Sequence, residues 1–114
     1  PIAHTGAKPV FVDVMEDMNI NPYLIEKAIT SKTKAIIPVH LTGRPAKMNE
    51  INKIAKKYNL NVIEDAAQGV GVKFNNKHVG TFGDLGILSF YGNKTITCGE
   101  GGIILTEDEE LKFQ

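Results

Sequence analysis

The sequence predicts an α/β fold, in which a mostly parallel sheet has crossover helices and one antiparallel strand. Short apolar runs alternate along the chain with segments whose apolar residues recur at the spacing of one helix face. Parallel strands need a crossover of about a dozen residues or more, and the first runs are spaced accordingly. The last run follows its predecessor too closely for a crossover, so we expect it to pair in the antiparallel direction.

Five apolar runs are expected to form the main sheet, at residues 10–14, 35–40, 61–65, 86–90 and 103–106. Pro38 interrupts the second run. Because proline has no N–H to give to the ladder, we place it near the end of that strand. Further along, residues 72–74 and 78–79 flank Asn75-Asn76 and predict a small surface hairpin.

Two helices are expected between these strands. Asn21-Pro22 is a typical helix start, with asparagine as the N-cap and proline at the first helical position. The second helix covers roughly residues 46–58 and ends at Asn59. Its apolar face consists of Ile51, Ile54, Ala55 and Tyr58.

Length and composition indicate a globular domain. The chain has 114 residues, enough for one core, and its 13 basic residues balance 13 acidic ones, which gives no argument for nucleic acid or a membrane surface. The lone Cys98 excludes an internal disulfide and fits a reducing cytoplasm. No group of side chains has metal-ligand spacing. The chain lacks an initiator Met and stops soon after a helix start, so we expect a piece of a longer protein.

Polar residues fall where ligands bind in parallel sheets, beyond the carboxyl ends of the strands. His40, Asp65 and Ser89 each lie at or near such an end, and Lys94 follows the Ser89 strand just before a glycine-rich turn, 99–102. A lysine and an aspartate at neighbouring strand ends are the pair that pyridoxal phosphate chemistry requires. The lysine forms an imine, and the carboxylate keeps the ring nitrogen protonated.

Each of these residues also has a purely structural interpretation. Asp65 would serve equally well as the N-cap of a helix that starts at Ala66, and a lone loop lysine is usually a solvated charge. His40 is more often a structural histidine than a base in such a position. Ser89 could simply end a strand, and Gln68 shares the cleft only if a helical turn begins after Asp65.

Several segments together resemble a known family. They are VIEDAAQ at 62–68, GTFGDLG at 80–86, SFYGNK at 89–94 and GEGG at 99–102, supported by AKPVFVD at 7–13 and PVHL at 38–41. In order and spacing they resemble the DegT/StrS family, which comprises pyridoxal phosphate-dependent aminotransferases of nucleotide-linked keto sugars. The resemblance covers essentially the whole chain.

The resemblance implies part of a fold-type I large domain, residues 1–114, with the parent protein's N-terminal segment and C-terminal domain absent. It implies that Lys94 forms the imine with the cofactor and that Asp65 contacts the pyridine nitrogen. It also implies that Gln68 lies near the ring hydroxyl and that Ser89 binds the phosphate. Residues 92–97 look closest to the perosamine synthase branch. That branch implies a GDP-linked 4-keto-6-deoxymannose substrate, glutamate as amino donor, a homodimer and a role in lipopolysaccharide O-antigen biosynthesis. A sister group with histidine in place of the lysine dehydrates sugars, so Lys94 favours transamination.

Two other functions remain open on the sequence. One is a nucleotide-binding α/β module without covalent chemistry, although no Gly-x-Gly-x-x-Gly turn follows the first strand. The other is an isolated piece without activity. The family's sheet has a strand between those of Phe11 and Ile36 that is missing here, so we also expect the strand at 10–14 to have lost its neighbour.

Overall fold

The computed structural model describes residues 1–113, with the side chains up to Lys112. The helices are α1 (Pro22–Ala28) and α2 (Met48–Tyr58), and single 3-10 turns lie at Ile2–Thr5, Leu41–Gly43 and Leu111–Phe113. The strands are β1 (Ala35–Ile36), β2 (Asn61–Asp65), β3 (Lys73–Phe74), β4 (Lys77–His78), β5 (Leu85–Ser89) and β6 (Gly102–Leu105).

The main sheet has the order β1-β2-β5-β6. β1, β2 and β5 run parallel, while β6 pairs antiparallel with β5, its partner in a hairpin. β3 and β4 form a separate antiparallel hairpin, whose turn residues Asn75 and Asn76 both have positive φ. The predicted α/β class, the antiparallel last strand and the small hairpin are therefore confirmed.

The strand expected at residues 10–14 is wrong. Among the described residues, this segment makes one isolated bridge, from Val14 to Ile20, and the side chains of Val10 and Phe11 are 63% and 92% exposed. Apolar residues alone do not make a strand, because the backbone N–H and C=O groups need a neighbour to complete the ladder. The main sheet consequently has four strands rather than five within the described part of the chain.

Pro38 shortens β1, as its missing N–H suggested. Regular pairing with β2 covers only Ala35 and Ile36, and contact resumes at a bridge between Val39 and Asp65. The Asp65 N–H donates to the Pro38 carbonyl at 2.9 Å. The Pro38 carbonyl thus accepts a hydrogen bond, although Pro38 has no N–H to donate. The His40 N–H donates to the Asp65 carbonyl, so the chain stays beside β2 as far as His40.

Local sequence signals mark the start of α1 and the end of α2. The Asn21 side chain accepts a hydrogen bond from the Tyr23 N–H, which is the N-cap interaction predicted for α1. α2 begins at Met48, two residues after the predicted start at 46, and ends at Asn59, which adopts a left-handed conformation with φ 53°. Asparagine tolerates this conformation, and the chain turns directly into β2.

The two helices cover one face of the sheet and leave the other open. Burial alternates along β2, where Val62 and Glu64 are buried while Ile63 and Asp65 are only partly covered. The core lies between the helices and the covered face and contains Ile25, Ile36, Ala46, Met48, Ile51, Ala55 and Val62. The opposite, open face carries one row of paired residues across the sheet, which is Val39, Asp65, Ile87 and Ile104.

A loop at residues 80–84 packs closely over the covered face because two glycines give it room. A Cβ on Gly86 would lie 1.8 Å from the Gly80 carbonyl oxygen, and one on Gly83 would lie 2.6 Å from the Val62 carbonyl oxygen. Both distances are far below van der Waals contact. The loop therefore approaches β2 and β5 at a distance that only glycine permits.

Candidate active site

The parallel strands bring Asp65 and Ser89 to the same face of the sheet at the same edge. Asp65 pairs with Ile87, so their side chains share the open face, and Ser89 lies on that face because it is two residues beyond Ile87. Both residues end their strands. The sequence-based expectation that these two polar residues gather at the carboxyl edge agrees with this geometry.

The position of Asp65 is fixed through its backbone and through one carboxylate oxygen. Its N–H donates to Pro38, and its carbonyl accepts from the His40 N–H at 3.0 Å. The Oδ1 atom accepts from the Ala67 N–H at 3.1 Å, while no hydrogen bond within the described residues reaches Oδ2. A turn follows instead of the helix that we considered, so Asp65 caps a turn and keeps one oxygen available.

Gln68 lies in this turn, and its amide has a defined orientation. The Oε1 atom accepts a 2.7 Å hydrogen bond from the Thr42 N–H. Because a backbone N–H can only donate, the oxygen must face Thr42, and the NH₂ group remains as a donor. Thr42 itself adopts a left-handed conformation with φ 53°, which is rare for a β-branched residue.

Lys94 lies in the connection between β5 and β6, just beyond the end of β5. Its N–H donates to the Tyr91 carbonyl at 2.9 Å, and its side chain is half-buried. The base of the connection is closed by bonds between Phe90 and residues 98 and 101. Lys94 thus belongs to an ordered turn at the edge where the strands of Asp65 and Ser89 end.

Two glycines after Lys94 occupy positions that disfavour a side chain. Gly99 has φ 86°, in the region that disfavours a side chain. A Cβ on Gly101 would lie 2.6 Å from the sulfur of Cys98. Cys98 is exposed, and its sulfur lies next to Gly101 within this turn. This agrees with a small residue that fills a loop position.

His40 does not join Asp65 and Ser89 on the open face, and its expected place in that cluster is wrong. It is fully buried on the covered face, where Nε2 lies 2.8 Å from Oε2 of Glu64. Its Nδ1 accepts from the Ala46 N–H at 3.1 Å. Alternation along the extended backbone explains this, because His40 follows Val39, which shares the open face with Asp65. The structural interpretation of His40 is the correct one.

Glu64 is the residue that sequence reasoning missed. Its carboxylate is completely buried and accepts four hydrogen bonds. His40 and the Gly80 N–H reach Oε2, both at 2.8 Å, and the N–H groups of Phe82 and Gly83 reach Oε1 at 2.5 and 2.6 Å. Burial by itself raises the pKa of Glu64, but the hydrogen bonds from His40 and the backbone outweigh it, so the pKa lies below its ordinary value of 4.5.

A signal for Glu64 was present in the sequence. If Asp65 faces a ligand, its neighbour in the strand faces the opposite side, which helices cover in an α/β sheet. A carboxylate in that position needs several donors. Glycine-rich loops supply them, and the loop at 80–83 has that composition.

The comparison with known proteins agrees with the fold and with the motifs. Residues 1–114 match the model of the DegT/DnrJ/EryC1/StrS aminotransferase family, and the chain belongs to this family. GDP-perosamine synthase of Escherichia coli O157:H7 is 52% identical over 111 residues, which cover 96% of this chain and 30% of that protein. The chain spans only about 30% of the length of the curated relatives that it matches.

Solved structures share the fold. An aminotransferase from Psychrobacter cryohalolentis superposes with a TM-score of 0.93 and 46% identity, over 96% of this chain and 28% of that one. E. coli GDP-4-keto-6-deoxy-D-mannose-3-dehydratase with bound hydrated PLP superposes with a TM-score of 0.89 and 39% identity, over 96% and 28% of the two chains. The α/β architecture is therefore that of pyridoxal phosphate-dependent sugar-modifying enzymes.

Proposed function

We propose that this chain is the cofactor-binding part of an aminotransferase that acts on a nucleotide-linked keto-deoxy sugar. The single observation that carries the proposal is the shared face of Asp65 and Ser89 at the carboxyl edge, with Lys94 in the next turn. Family membership supports the same conclusion independently of the geometry.

The residues present suit pyridoxal phosphate. When bound, this cofactor supplies an aldehyde that accepts an amino group and a ring that withdraws electrons from the reacting carbon. Asp65 has a carboxylate oxygen that no described residue occupies, and an ionised carboxylate favours a protonated ring nitrogen. Gln68 keeps an NH₂ donor for the oxygen on the ring, and the Ser89 hydroxyl can donate to a phosphate oxygen.

Lys94 is the residue proposed to react. Its amine would hold the cofactor covalently and would carry a proton to and from the substrate carbon. The presence of lysine here, rather than histidine, favours amino transfer over dehydration.

The finer assignment follows the perosamine synthase branch. The substrate would be GDP-4-keto-6-deoxymannose, glutamate the amino donor, and the whole enzyme a cytoplasmic homodimer that serves O-antigen synthesis. The identity to the E. coli synthase supports this branch. In the part of the chain that the structure describes, no helix is both long and apolar enough to cross a bilayer.

A covalent labelling experiment tests the proposal. The full-length protein that carries this chain is incubated with pyridoxal phosphate, reduced with borohydride and digested. We expect a phosphopyridoxyl mass on the peptide that contains Lys94. Addition of glutamate before reduction should remove the label, because the amino group then passes to the cofactor.

Lys94→Ala is the critical variant, and Lys112→Ala, which changes an exposed lysine outside the turn that holds Lys94, is its control. The proposal predicts complete loss of label in the first and full label in the second. Label that persists in Lys94→Ala, or that never forms in the unsubstituted protein, would contradict the proposed chemistry.

A further inference from the structure

We propose that Glu64 and His40 are positioning residues, which hold from behind the sheet the backbone that carries the cofactor contacts. The inference rests on the proposed function and extends it to a buried pair that touches no ligand. It starts from an unusual arrangement, in which a fully buried carboxylate precedes the proposed cofactor ligand Asp65 in the same strand.

Glu64 joins β2 to the loop that leads into β5. Three backbone N–H groups of that loop, those of Gly80, Phe82 and Gly83, donate to its carboxylate. The loop then continues into β5, which ends at Ser89. One carboxylate therefore sets the relative position of the strands that present the carboxylate and the hydroxyl of the proposed site.

His40 extends the same network to the turn that holds Gln68. Its side chain donates to Glu64 and accepts from Ala46, and its own backbone N–H donates to the Asp65 carbonyl. The backbone between residues 40 and 46 is thereby closed into a turn. Within that turn Thr42 adopts its left-handed conformation, and the Thr42 N–H donates to Gln68.

The protonation states in this network are determined by its donors. Ala46 N–H can only donate, so Nδ1 of His40 is the acceptor and the proton of the neutral imidazole lies on Nε2. Four donors then converge on one carboxylate. A glutamine at position 64 would direct its NH₂ group at one of those donors, so the isosteric change breaks the network without changing its volume.

The experiment measures cofactor binding rather than turnover. Apo forms of the full-length protein are prepared, and the dissociation constant of pyridoxal phosphate is determined by equilibrium dialysis. The absorbance band of the bound cofactor is followed against pH in parallel. We expect Glu64→Gln and His40→Leu to weaken binding about 10- to 100-fold and to shift the pH at which the band changes, because Asp65 is displaced.

A rescue variant and a control separate positioning from simple stability. His40→Gln keeps an N–H donor for Glu64 and an oxygen acceptor for Ala46, so it should restore most of the affinity and the original pH profile. Ile51→Ala removes core packing contributed by α2 but none of the hydrogen bonds of the network. It should lower the unfolding midpoint but leave the dissociation constant within a factor of about two.

The outcomes distinguish this inference from the proposed function. If Lys94 of the unsubstituted protein takes the label, but Glu64→Gln and His40→Leu bind the cofactor as Ile51→Ala does, the positioning role is refuted and the enzyme assignment stands. If no label forms, both fail. If Glu64→Gln does not fold, the positioning role is tested by comparing His40→Leu with His40→Gln. Equal dissociation constants for pyridoxal phosphate in these two variants overturn the proposal.

Discussion

Glu64 and Asp65 are neighbours in β2, but they lie on opposite faces of the sheet and differ in burial and hydrogen bonding. On the covered face, Glu64 is completely buried and accepts four hydrogen bonds. On the open face, Asp65 gives one oxygen to its own turn and keeps the other available. Both residues are carboxylates in one strand, so the difference arises from the pleat and from what covers each face. A fully buried acid and a partly exposed one can thus alternate residue by residue along one strand.

The largest expected effect comes from removing these two acids in turn. Glu64→Ala leaves His40, one buried N–H group and two partly buried N–H groups without an acceptor, and should cost about 3–5 kcal/mol of unfolding free energy. Asp65→Ala loses one hydrogen bond at a partly exposed position and should cost about 0.5–1.5 kcal/mol. Chemical unfolding followed by circular dichroism measures both. Equal costs would mean that the faces do not differ as described.

Acid should remove the same contribution in the unsubstituted protein. The pKa of Glu64 is lower in the folded chain than its ordinary value of 4.5, so the ionised form stabilises the fold at neutral pH. This contribution is present above 4.5 and is lost as the pH falls through the lower folded pKa. Glu64→Gln should therefore be less stable than the unsubstituted protein at pH 7, and the gap should close on acidification. Unfolding midpoints measured between pH 7 and pH 3, about the range of carboxyl titration, test this.

A methyl group on Gly86 should disturb the covered face to a smaller extent. Gly86→Ala places a Cβ 1.8 Å from the Gly80 carbonyl oxygen, so the loop that donates to Glu64 must move. We expect a loss of about 1–3 kcal/mol. Gly92→Ala is the matched control, since its nearest neighbour would lie at 3.8 Å. A similar loss in both variants would show that the close approach of the loop has no energetic consequence.

The smallest effect concerns the segment at residues 10–14, which is outside the sheet. Its amides at Val10 and Phe11 have no backbone partner within the described residues, whereas those of β2 are paired on both sides. Hydrogen exchange should therefore be fast at 10–12 and slow at 62–65. Protection as strong as that of β2 would mean that the segment is a paired strand after all.

Local signals predicted most of the elements and part of the site. Asn21-Pro22 marked the start of α1, and Asn59 marked the end of α2. Asp65 and Ser89 were located from the rule that ligands gather at strand ends. The misplaced strand at 10–14 has a common cause with the missed role of Glu64. Both depend on partners distant in sequence. The glycine-rich loop at 80–83 is visible in the sequence, but its pairing with Glu64 is not, and neither is the absence of a ladder neighbour for residues 10–14.

The sequence by itself determined the class of fold, the helices and strands other than the one expected at 10–14, and the motifs that link this chain to its family. Those features follow from periodicity, caps and turn residues, which act over a few positions. Only the tertiary structure decided that Glu64 is buried while Asp65 faces outward. It also decided that His40 is buried beside Glu64. The physical reason is that a charge is buried only where enough donors converge. Here three of the four donors come from a loop 16 to 19 residues further along the chain, and the fourth is His40.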